Sequence, residues 1–206
     1  MCNPQYYAQA TQFLSAIDDD WAQLISTVGA CTLNTETELK LNPYQALVQA
    51  VAYQQLHGKA GAAIFARFKN LFGGFPSPEQ LIVAQFDDLR ACGFSGRKIE
   101  TIQGIADGAL SGLVPSRELA DSLSNEELIA RLITLKGIGQ WTVEMMLIFT
   151  LNHMDILPAD DFAVCEGYKR LKKLQAAPKR KEMAAIGSAW SPHRTVASWY
   201  LWRVSK

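Results

Sequence analysis

The sequence predicts an all-α protein, and three observations favour that class. Apolar residues recur at three- and four-residue spacing in several segments, among them PYQALVQAVAYQQL from Pro43 and RKIETIQGIADGAL from Arg97. Helix-start signals precede several of these segments. No segment alternates polar and apolar residues for long enough to build a sheet. We therefore expect about ten short helices in a single domain over residues 1–206.

Three positions carry the pattern of a capping box. Asn42 and Ser77 each precede a proline and stand three residues before a glutamine, and Ser124 stands three residues before a glutamate. In a capping box the first side chain and the third residue after it bond each other's backbone N–H groups. Helices are therefore expected to begin after these residues. The pair Ser191-Pro192 similarly predicts the start of the last helix.

Composition limits the class of protein. The chain has 20 basic and 20 acidic residues, and 49% of it is hydrophobic. No apolar run is long enough to cross a membrane, and the N-terminus lacks the features of a secretion signal, so we expect an intracellular protein. The cysteines lack the close spacing of a zinc or iron–sulfur site. They are Cys2, Cys31, Cys92 and Cys165.

Charged residues are distributed unevenly along the chain. Acidic runs occur early, at 18–20 and 35–38, and basic runs occur late, at 168–173 and 178–181. A net charge of zero weakens the case for a nucleic-acid partner without excluding it, because a local patch matters more than the sum. We interpret the acidic runs as solvated faces. The basic runs fit either a solvated face or a surface that meets phosphates.

The segment LKGIGQW, residues 135–141, joins two predicted helices. A DNA-reading helix-turn-helix needs a polar second helix, and VEMMLIFTL after the turn is too apolar. An ordinary αα-turn needs only one glycine. In a helix-hairpin-helix, glycines permit left-handed angles and close approach, and the N–H groups of Gly139, Gln140 and Trp141 point outward to bind a phosphate. We favour this hairpin, at about 124–150, with sequence-independent DNA binding.

Several motifs in order resemble a known family. LKGIGQWT is followed about twenty residues later by LPADDFAV, and it is preceded by PYQALVQAVAYQQLHGKAGAAIFARF and GFSGRKIETI. The set, over roughly 42–202, resembles the helix-hairpin-helix (HhH-GPD) DNA glycosylase superfamily, and within it the AlkA-like 3-methyladenine DNA glycosylases II. The resemblance implies a compact two-lobed helical fold with the active-site cleft between the lobes. We expect this chain to lack the extra N-terminal β-domain of longer bacterial members.

Two carboxylates, Asp160 and Asp161, precede a predicted helix. Asp is a common N-cap, which is our interpretation of Asp160. A carboxylate at a helix N-terminus is stabilised in its charged form. Cleaving a base–sugar bond builds positive charge on the sugar, and an ionised Asp stabilises that charge and helps to deprotonate water. The resemblance implies that Asp161 is the catalytic residue, with Asp160 as the alternative.

The resemblance also implies a substrate pocket formed by Trp141, Met145, Phe162 and Trp202. Members that also cut the strand carry lysine at the position of Trp141, where its amine forms a Schiff base with the sugar. Tryptophan cannot, so a monofunctional enzyme that leaves an abasic site is expected. Aromatic rings attract cations, and purines alkylated at N3 or N7 are cationic. The expected substrates are 3-methyladenine- and 7-methylguanine-type bases in double-stranded DNA. By spacing alone, each of these side chains is more often a core residue.

A base inside a duplex must be flipped out before it can be cut. The resemblance places the intercalating wedge at Leu56, with Gln55 and His57 beside it, at a helix end where the chain turns through Gly58. Apolar wedges commonly enter the minor groove. From the residues alone, Leu56 fits a core leucine and His57 fits a helix C-terminal histidine.

Further contacts are implied by the resemblance. The residues expected to touch the DNA backbone are Ser95, Gly96, Lys98, Gly137, Gly139 and Gln140. A capped turn with an exposed lysine is the alternative for the first three. The carbonyls of Ile133, Leu135 and Gly137 are expected to hold a monovalent cation, Na⁺ or K⁺, and no cofactor is otherwise required. We expect a monomer.

Two other functions stay open from the sequence. The first is a glycosylase for deaminated or other damaged purines, such as hypoxanthine or etheno-adenine. Met145 stands where some relatives carry tyrosine, so no lesion ranking follows from the resemblance. The second is a helix-hairpin-helix module that binds DNA without chemistry. Loss of the catalytic carboxylate would mark such a module, and Asp161 is present.

Overall fold

The structure is a computed structural model that describes residues 4–33 and 41–205. In those ranges it contains thirteen α-helices, one 3₁₀ helix at Ser188–Trp190 and no β-strand, which confirms the all-α prediction. The α-helices are α1 (Pro4–Ser15), α2 (Asp19–Val28), α3 (Pro43–Tyr53), α4 (Gly58–Phe72), α5 (Pro78–Ile82), α6 (Phe86–Cys92), α7 (Gly96–Leu110), α8 (Arg117–Ser122), α9 (Asn125–Leu132), α10 (Gln140–Phe149), α11 (Phe162–Leu171), α12 (Arg180–Gly187) and α13 (Arg194–Leu201).

The three predicted capping boxes are present. Asn42, Ser77 and Ser124 each accept the N–H of the third residue after them, and the side chain of that residue bonds the N–H of the cap. Each box satisfies two of the N–H groups that a helix start leaves without a partner inside the helix. The starts of α3, α5 and α9 are therefore fixed by local sequence.

The start of α13 differs from the prediction. This helix begins at Arg194, and Ser191 does not cap it because its hydroxyl donates to Asp155 Oδ2 at 2.7 Å. The guanidinium of Arg194 bonds both oxygens of the same carboxylate, at 2.6 and 2.9 Å. The N–H of Thr195 donates to the carbonyl of Met154 at 3.1 Å. These bonds fasten the loop after α10 to the first turn of α13.

The residues group into two compact units. One comprises residues 1–38 and 147–206, and the other comprises residues 39–146, so that the division falls within α10. In the 39–146 unit, α7 packs against both α3 and α5. Large side chains that are fully buried include those of Phe68, Leu81, Leu89, Phe94, Ile99, Ile102 and Leu128.

In the other unit, α13 packs against α1, α2 and α11. A Cβ at Gly167 would overlap the carbonyl of Leu201, so only glycine allows α11 to lie this close to α13. Trp21 and Trp190 pack edge to face in the core of this unit, with ring centroids 5.3 Å apart. In this unit α11 therefore lies against α13, the helix that ends just before Trp202.

The charged runs have partners that the sequence did not reveal. Lys172 Nζ lies 2.6 Å from Asp18 Oδ2 and 2.8 Å from Asp20 Oδ2, and Asp18 also caps α2. Asp18 and Asp19 are exposed, as the interpretation of a solvated face predicts, but Asp18 and Asp20 are also paired with Lys172. Glu166 lies 3.6 and 3.8 Å from two more basic side chains of the 168–173 run, which is partly neutralised. The acidic run at 35–38 lies outside the described residues.

Neither the described cysteines nor the described helices indicate a metal site or a membrane span. The described cysteines, Cys31, Cys92 and Cys165, are buried and form no disulfide bond, and Cys2 lies outside the described residues. Across residues 4–33 and 41–205, the helices are all too short or too polar to pass through a bilayer. The same ranges contain no cluster of three or more His, Cys, Asp or Glu side chains suited to a metal ion.

We predict that Asp155 stabilises the fold above acidic pH. Burial by itself would raise the pKa of Asp155, but hydrogen bonds from Arg194 and Ser191 and the charge of Arg194 hold it below its ordinary value. Such a carboxyl stabilises above its unfolded pKa and loses that effect as pH falls through its folded pKa. Asp155→Asn should lower the free energy of unfolding by about 1–3 kcal/mol at pH 7. Below the ordinary pKa of 3.8, the difference from wild type should shrink.

Urea unfolding at several pH values measures this effect, and Asp121→Asn is the control. Asp121 lies 2.9 Å from Arg117 Nε in an exposed pair. Exposed pairs of this kind contribute less than about 1 kcal/mol, so this variant should be nearly neutral. Equal losses in the two variants, or a loss at Asp155 that does not change with pH, would contradict the prediction.

Candidate active site

The predicted hairpin is present between α9 and α10. α9 ends at Leu132, α10 begins at Gln140, and Gly137 in the turn has a φ of +85°. A Cβ on Gly137 would overlap Thr101 Oγ1, so this position requires glycine both for its backbone angle and for close packing. The space beside Gly139 is open, and its φ is not left-handed. Gly139 therefore leaves the helix start accessible, and the left-handed angle predicted for both glycines occurs only at Gly137.

α10 begins directly after the hairpin turn. The carbonyl of Gly139 accepts the N–H groups of Thr142 and Val143 at 3.0 and 3.3 Å, which starts the helix. A helix start carries partial positive charge and attracts anions. The side chain of Gln140 donates to Glu144 Oε1 at 2.8 Å along the same helix. The DNA contact expected of Gln140 is therefore one of its main chain.

A cavity of about 710 Å³ opens in the 39–146 unit, between α10 and the end of α3. It brings together five of the predicted site residues, from two distant parts of the sequence. Trp141 keeps 47% of its surface exposed, which is unusual for so large an apolar side chain. The cavity is lined by Ala50, Tyr53, Gln54, Gln55, Leu56, His57, Trp141, Thr142 and Met145.

Sequence reasoning missed three lining residues that matter chemically: Tyr53, Gln54 and Thr142. Tyr53, at the end of α3, borders the cavity. Gln54 Nε2 lies 3.5 Å from Thr142 Oγ1, so an amide and a hydroxyl meet at this wall. Proximity in sequence to the predicted wedge and to Trp141 was the only signal available for them. These groups can bond the edge of a bound ring.

The predicted wedge lies on a short loop between α3 and α4. The chain turns at Gln55, which has a φ of +56°, and Gly58 is already the first residue of α4. The turn predicted at Gly58 is therefore wrong. Leu56 is 38% exposed, so the core alternative for it is also wrong. His57 precedes α4 as its N-cap residue and does not end a helix, which removes the helix C-terminal interpretation.

The segment from Ser95 to Lys98 opens α7. The Ser95 hydroxyl accepts the N–H of Lys98 at 3.3 Å as the N-cap, and Gly96 is the first helical residue. The Lys98 ammonium donates to the carbonyls of Ala52 and Gln54 at 3.0 and 2.8 Å. Burial lowers the pKa of Lys98. Lys98 is thus no freely exposed lysine, and the simple capped-turn alternative does not describe it.

Asp161 is fixed at the start of α11. It is the N-cap of this helix, and its Oδ1 accepts the N–H of Val164 at 2.9 Å and the indole N–H of Trp202 at 3.0 Å. Only 9% of its surface is exposed. The exposed Asp160 does not cap the helix, so its assignment as the N-cap was wrong. Two N–H donors thus fix the position of the Asp161 carboxylate at the start of α11.

One aromatic side chain contacts this carboxylate, and another follows it directly in the sequence. Trp202 stacks on Phe149 with ring centroids 5.7 Å apart while its N–H holds Asp161. Phe162 directly follows Asp161 and is 80% exposed.

Burial, followed by the charges of Asp161 and its acidic neighbours, raises the pKa of the Cys165 thiol, which donates to the carbonyl of Ala159. The start of α11 is therefore an anionic site that can stabilise a nearby cation.

The chain matches a family model along most of its length. Residues 48–192 match the model described as HhH-GPD superfamily base excision DNA repair protein. This chain belongs to that superfamily, as the resemblance implied.

Individual relatives agree with this assignment. The chain is 48% identical to DNA-3-methyladenine glycosylase 1 of Schizosaccharomyces pombe, over 94% of this chain and 85% of the relative. Its fold is similar to the S. pombe 3-methyladenine DNA glycosylase Mag1 in complex with abasic DNA, with a TM-score of 0.85, 47% identity and 95% of each chain covered. It is also similar to a DNA-3-methyladenine glycosidase from Bacillus halodurans, with a TM-score of 0.84, 35% identity and coverage of 94% and 88%.

The two hairpin glycines should respond differently to alanine. Gly137→Ala introduces a Cβ against Thr101 and a left-handed alanine, so we predict a loss of about 2–4 kcal/mol in the free energy of unfolding. Gly139→Ala meets open space and should cost less than about 1 kcal/mol. Urea unfolding measures both. Losses of the same size would mean that Gly137 is not specifically required by this turn.

Proposed function

We infer that the protein is a DNA glycosylase that excises alkylated purines of the 3-methyladenine and 7-methylguanine type from double-stranded DNA, in base excision repair. Membership of the superfamily and 48% identity to an S. pombe DNA-3-methyladenine glycosylase support this function. The observation that carries the chemistry is the Asp161 carboxylate, held by the N–H of Val164 and the indole of Trp202.

The proposed reaction breaks the bond between C1′ of the sugar and the ring nitrogen of the base. The bonding electrons leave with the base, and positive charge develops on the sugar. Asp161 supplies a fixed negative charge for that state, with its position already set before substrate binds. Water then adds to C1′, and its proton passes to Asp161 or to solvent. The products are the free base and an abasic site.

The charge of the lesion explains the proposed selectivity. A purine alkylated at N3 or N7 is cationic, so it departs as a neutral molecule and needs no proton. Aromatic rings attract such a cation by about 0.5–2 kcal/mol. In this proposal Trp141, Met145, Phe162 and Trp202 form the substrate pocket. Normal bases lack the same lability, so the pocket need not fit one shape closely.

Trp141 supports a hydrolase without strand-cutting activity. A Schiff-base mechanism needs an amine that attacks the sugar. The indole of Trp141 has no such nucleophile. The proposed enzyme is therefore monofunctional, and water is the only attacking group.

The proposed DNA contacts use both backbone and side chains. The main chain of Gly137, Gly139 and Gln140 at the start of α10 meets a phosphate. Leu56 is the wedge, and Gln55 and His57 flank it in the groove. Ser95 and Gly96 are the proposed contacts to a second stretch of backbone; the same contact was expected of Lys98, whose ammonium instead donates to the carbonyls of Ala52 and Gln54.

A monovalent cation is also proposed at the hairpin. The carbonyls of Ile133, Leu135 and Gly137 are hard oxygen donors of the kind that Na⁺ and K⁺ prefer. The Leu135 carbonyl already accepts the N–H of Ile138 at 3.1 Å and keeps a second lone pair for the ion. Such an ion would bridge the turn to a phosphate. We further propose a monomer that acts inside the cell, where its DNA substrate is.

The main alternative is a glycosylase for deaminated or etheno-modified purines. Gln54 and Thr142 form a polar wall of the cavity that supports this alternative, because recognition of neutral lesions depends on hydrogen bonds more than recognition of cationic lesions does. A panel of duplexes, each with one lesion, separates the alternatives by the base that is released. The proposal expects release of 7-methylguanine and 3-methyladenine well ahead of hypoxanthine. Release of no base from any duplex, with DNA still bound, would support a non-catalytic binding module.

Replacing Asp161 tests the proposed catalytic charge. Asp161→Asn keeps the size and an oxygen for Val164 and Trp202 but removes the charge. We predict a fall of about 100-fold or more in the single-turnover rate of 7-methylguanine release, with DNA affinity retained. Asp160→Asn, at the exposed neighbour, is the control and should keep the wild-type rate. Similar losses in both variants would contradict this assignment.

Trp202 gives a second, milder test. Trp202→Phe keeps an aromatic ring beside Phe149 but removes the N–H that donates to Asp161, together with part of the ring volume. A hydrogen bond to a charged group contributes about 1.5–3 kcal/mol, so the rate should fall roughly 10- to 100-fold. Phe149→Leu serves as a control that disturbs the stacking but keeps the N–H. A larger loss from Phe149→Leu than from Trp202→Phe would assign the role of Trp202 to packing.

A further inference from the structure

We propose that Lys98 is a positioning residue that holds the loop carrying the wedge, and that it does not bind phosphate. The loop is residues 54–57, between α3 and α4, and Leu56 is its exposed apolar tip. This inference rests on the proposed function, because the wedge acts only when a base is flipped from DNA. It replaces the DNA-backbone contact that the sequence resemblance suggested for Lys98.

The contacts of the Lys98 ammonium point to this role. Nζ donates to the carbonyl of Ala52 at 3.0 Å and to that of Gln54 at 2.8 Å. These carbonyls belong to the last turn of α3 and its C-cap, where a helix leaves acceptors without partners inside the helix. A cation at a helix C-terminus is also favoured by the dipole. One side chain of α7 thus completes the end of α3.

The position of Lys98 on its own helix gives no reason for a lysine. It is the third residue of α7, where the positive end of the helix dipole disfavours a cation. Burial there also lowers the pKa of the ammonium. Both effects oppose a charged side chain at this position. The two carbonyls at the end of α3 are the interactions that compensate.

The loop needs a support of this kind. Gln55 has a φ of +56°, a conformation that side-chain-bearing residues seldom adopt unless their surroundings impose it. The carbonyl of Gln54 and the N–H of Gln55 belong to one planar peptide unit. By holding that carbonyl, Lys98 fixes the plane of the peptide that leads into Gln55. The direction in which Leu56 leaves the loop follows from that plane.

The ammonium has few donors to offer a phosphate. It has three N–H groups, and two are directed at Ala52 and Gln54. A phosphate contact and a positioning role also differ in a measurable way. Each lysine that neutralises a phosphate steepens the dependence of DNA affinity on salt, by about one unit in the logarithmic slope. A positioning residue leaves that slope unchanged.

The test compares Lys98→Met, Leu56→Ala and their double variant, with Lys59→Met as the control. Lys59 is an exposed lysine at the start of α4 beside the same loop. Single-turnover release of 7-methylguanine is measured at a temperature where every variant is folded. One duplex pairs the lesion with cytosine, and a second places it opposite an abasic analogue, where extrusion costs less. The salt slope of DNA binding is measured for each variant.

The proposal expects Lys98→Met to slow release from the paired duplex by about 10- to 100-fold, as for a misplaced functional group. The loss should be much smaller on the unpaired lesion, and the salt slope should equal that of wild type. The double variant should lose no more than Leu56→Ala alone, because the two residues act as one unit. Lys59→Met should keep the wild-type rate on both duplexes.

Other outcomes overturn the proposal. A salt slope reduced by about one would assign Lys98 to a phosphate. Equal losses on both duplexes, or additive losses in the double variant, would separate Lys98 from the wedge. A lower melting temperature with an unchanged rate would leave it a purely structural role. Failure of wild type to release any base would instead contradict the proposed function, which distinguishes the two failures.

Discussion

The proposed reaction depends on one carboxylate that is held in place before any substrate arrives. Asp161 receives the N–H of Val164 because it is the N-cap of α11, and it receives the indole N–H of Trp202 from the end of α13. Both donors point at the same carboxylate oxygen, Oδ1. The second can reach it because Gly167 lets α11 lie directly against α13. The start of α11, the indole of Trp202 and the lack of a side chain at Gly167 together fix the position of one negative charge.

The rest of that unit keeps the charge where it is. The loop that leads to Asp161 is tied to the first turn of α13 through Asp155 and Arg194. A group that must stabilise a short-lived cation gains most from being preorganised, since no free energy is then spent on moving it during the reaction. In the 39–146 unit the requirements differ. There the cavity is wide, and its aromatic and polar lining suits selection by charge and lability more than by shape.

How far the sequence predicted this protein depends on how local each feature is. The capping boxes at Asn42, Ser77 and Ser124 were correct because each involves residues three apart. The end of α3 was placed too far along the chain, because the turn uses a left-handed Gln55 where a glycine at position 58 was available. Propensity favours glycine there, and tertiary contacts overrode it.

The residues of the candidate site were also predictable only where they lie in a local sequence motif. Asp161 and Trp141 were assigned to the candidate site through motifs of a known family, and physical reasoning alone left core and cap interpretations open for them. Tyr53 and Gln54 were missed because no local pattern indicates which side chains border a cavity. Pairings such as Lys172 with Asp18 join residues too far apart in sequence for any spacing rule to find.

The most direct test of the central claim measures how Asp161 recognises positive charge at the sugar. One duplex carries a cationic pyrrolidine in place of the lesion nucleotide, and a matched duplex carries neutral tetrahydrofuran. Wild type is expected to bind the pyrrolidine duplex at least about 100-fold more tightly than the neutral duplex, because the pyrrolidine mimics the transition state. Asp161→Asn should lose that preference while it binds the neutral duplex as wild type does. An equal preference in the two proteins would contradict the claim.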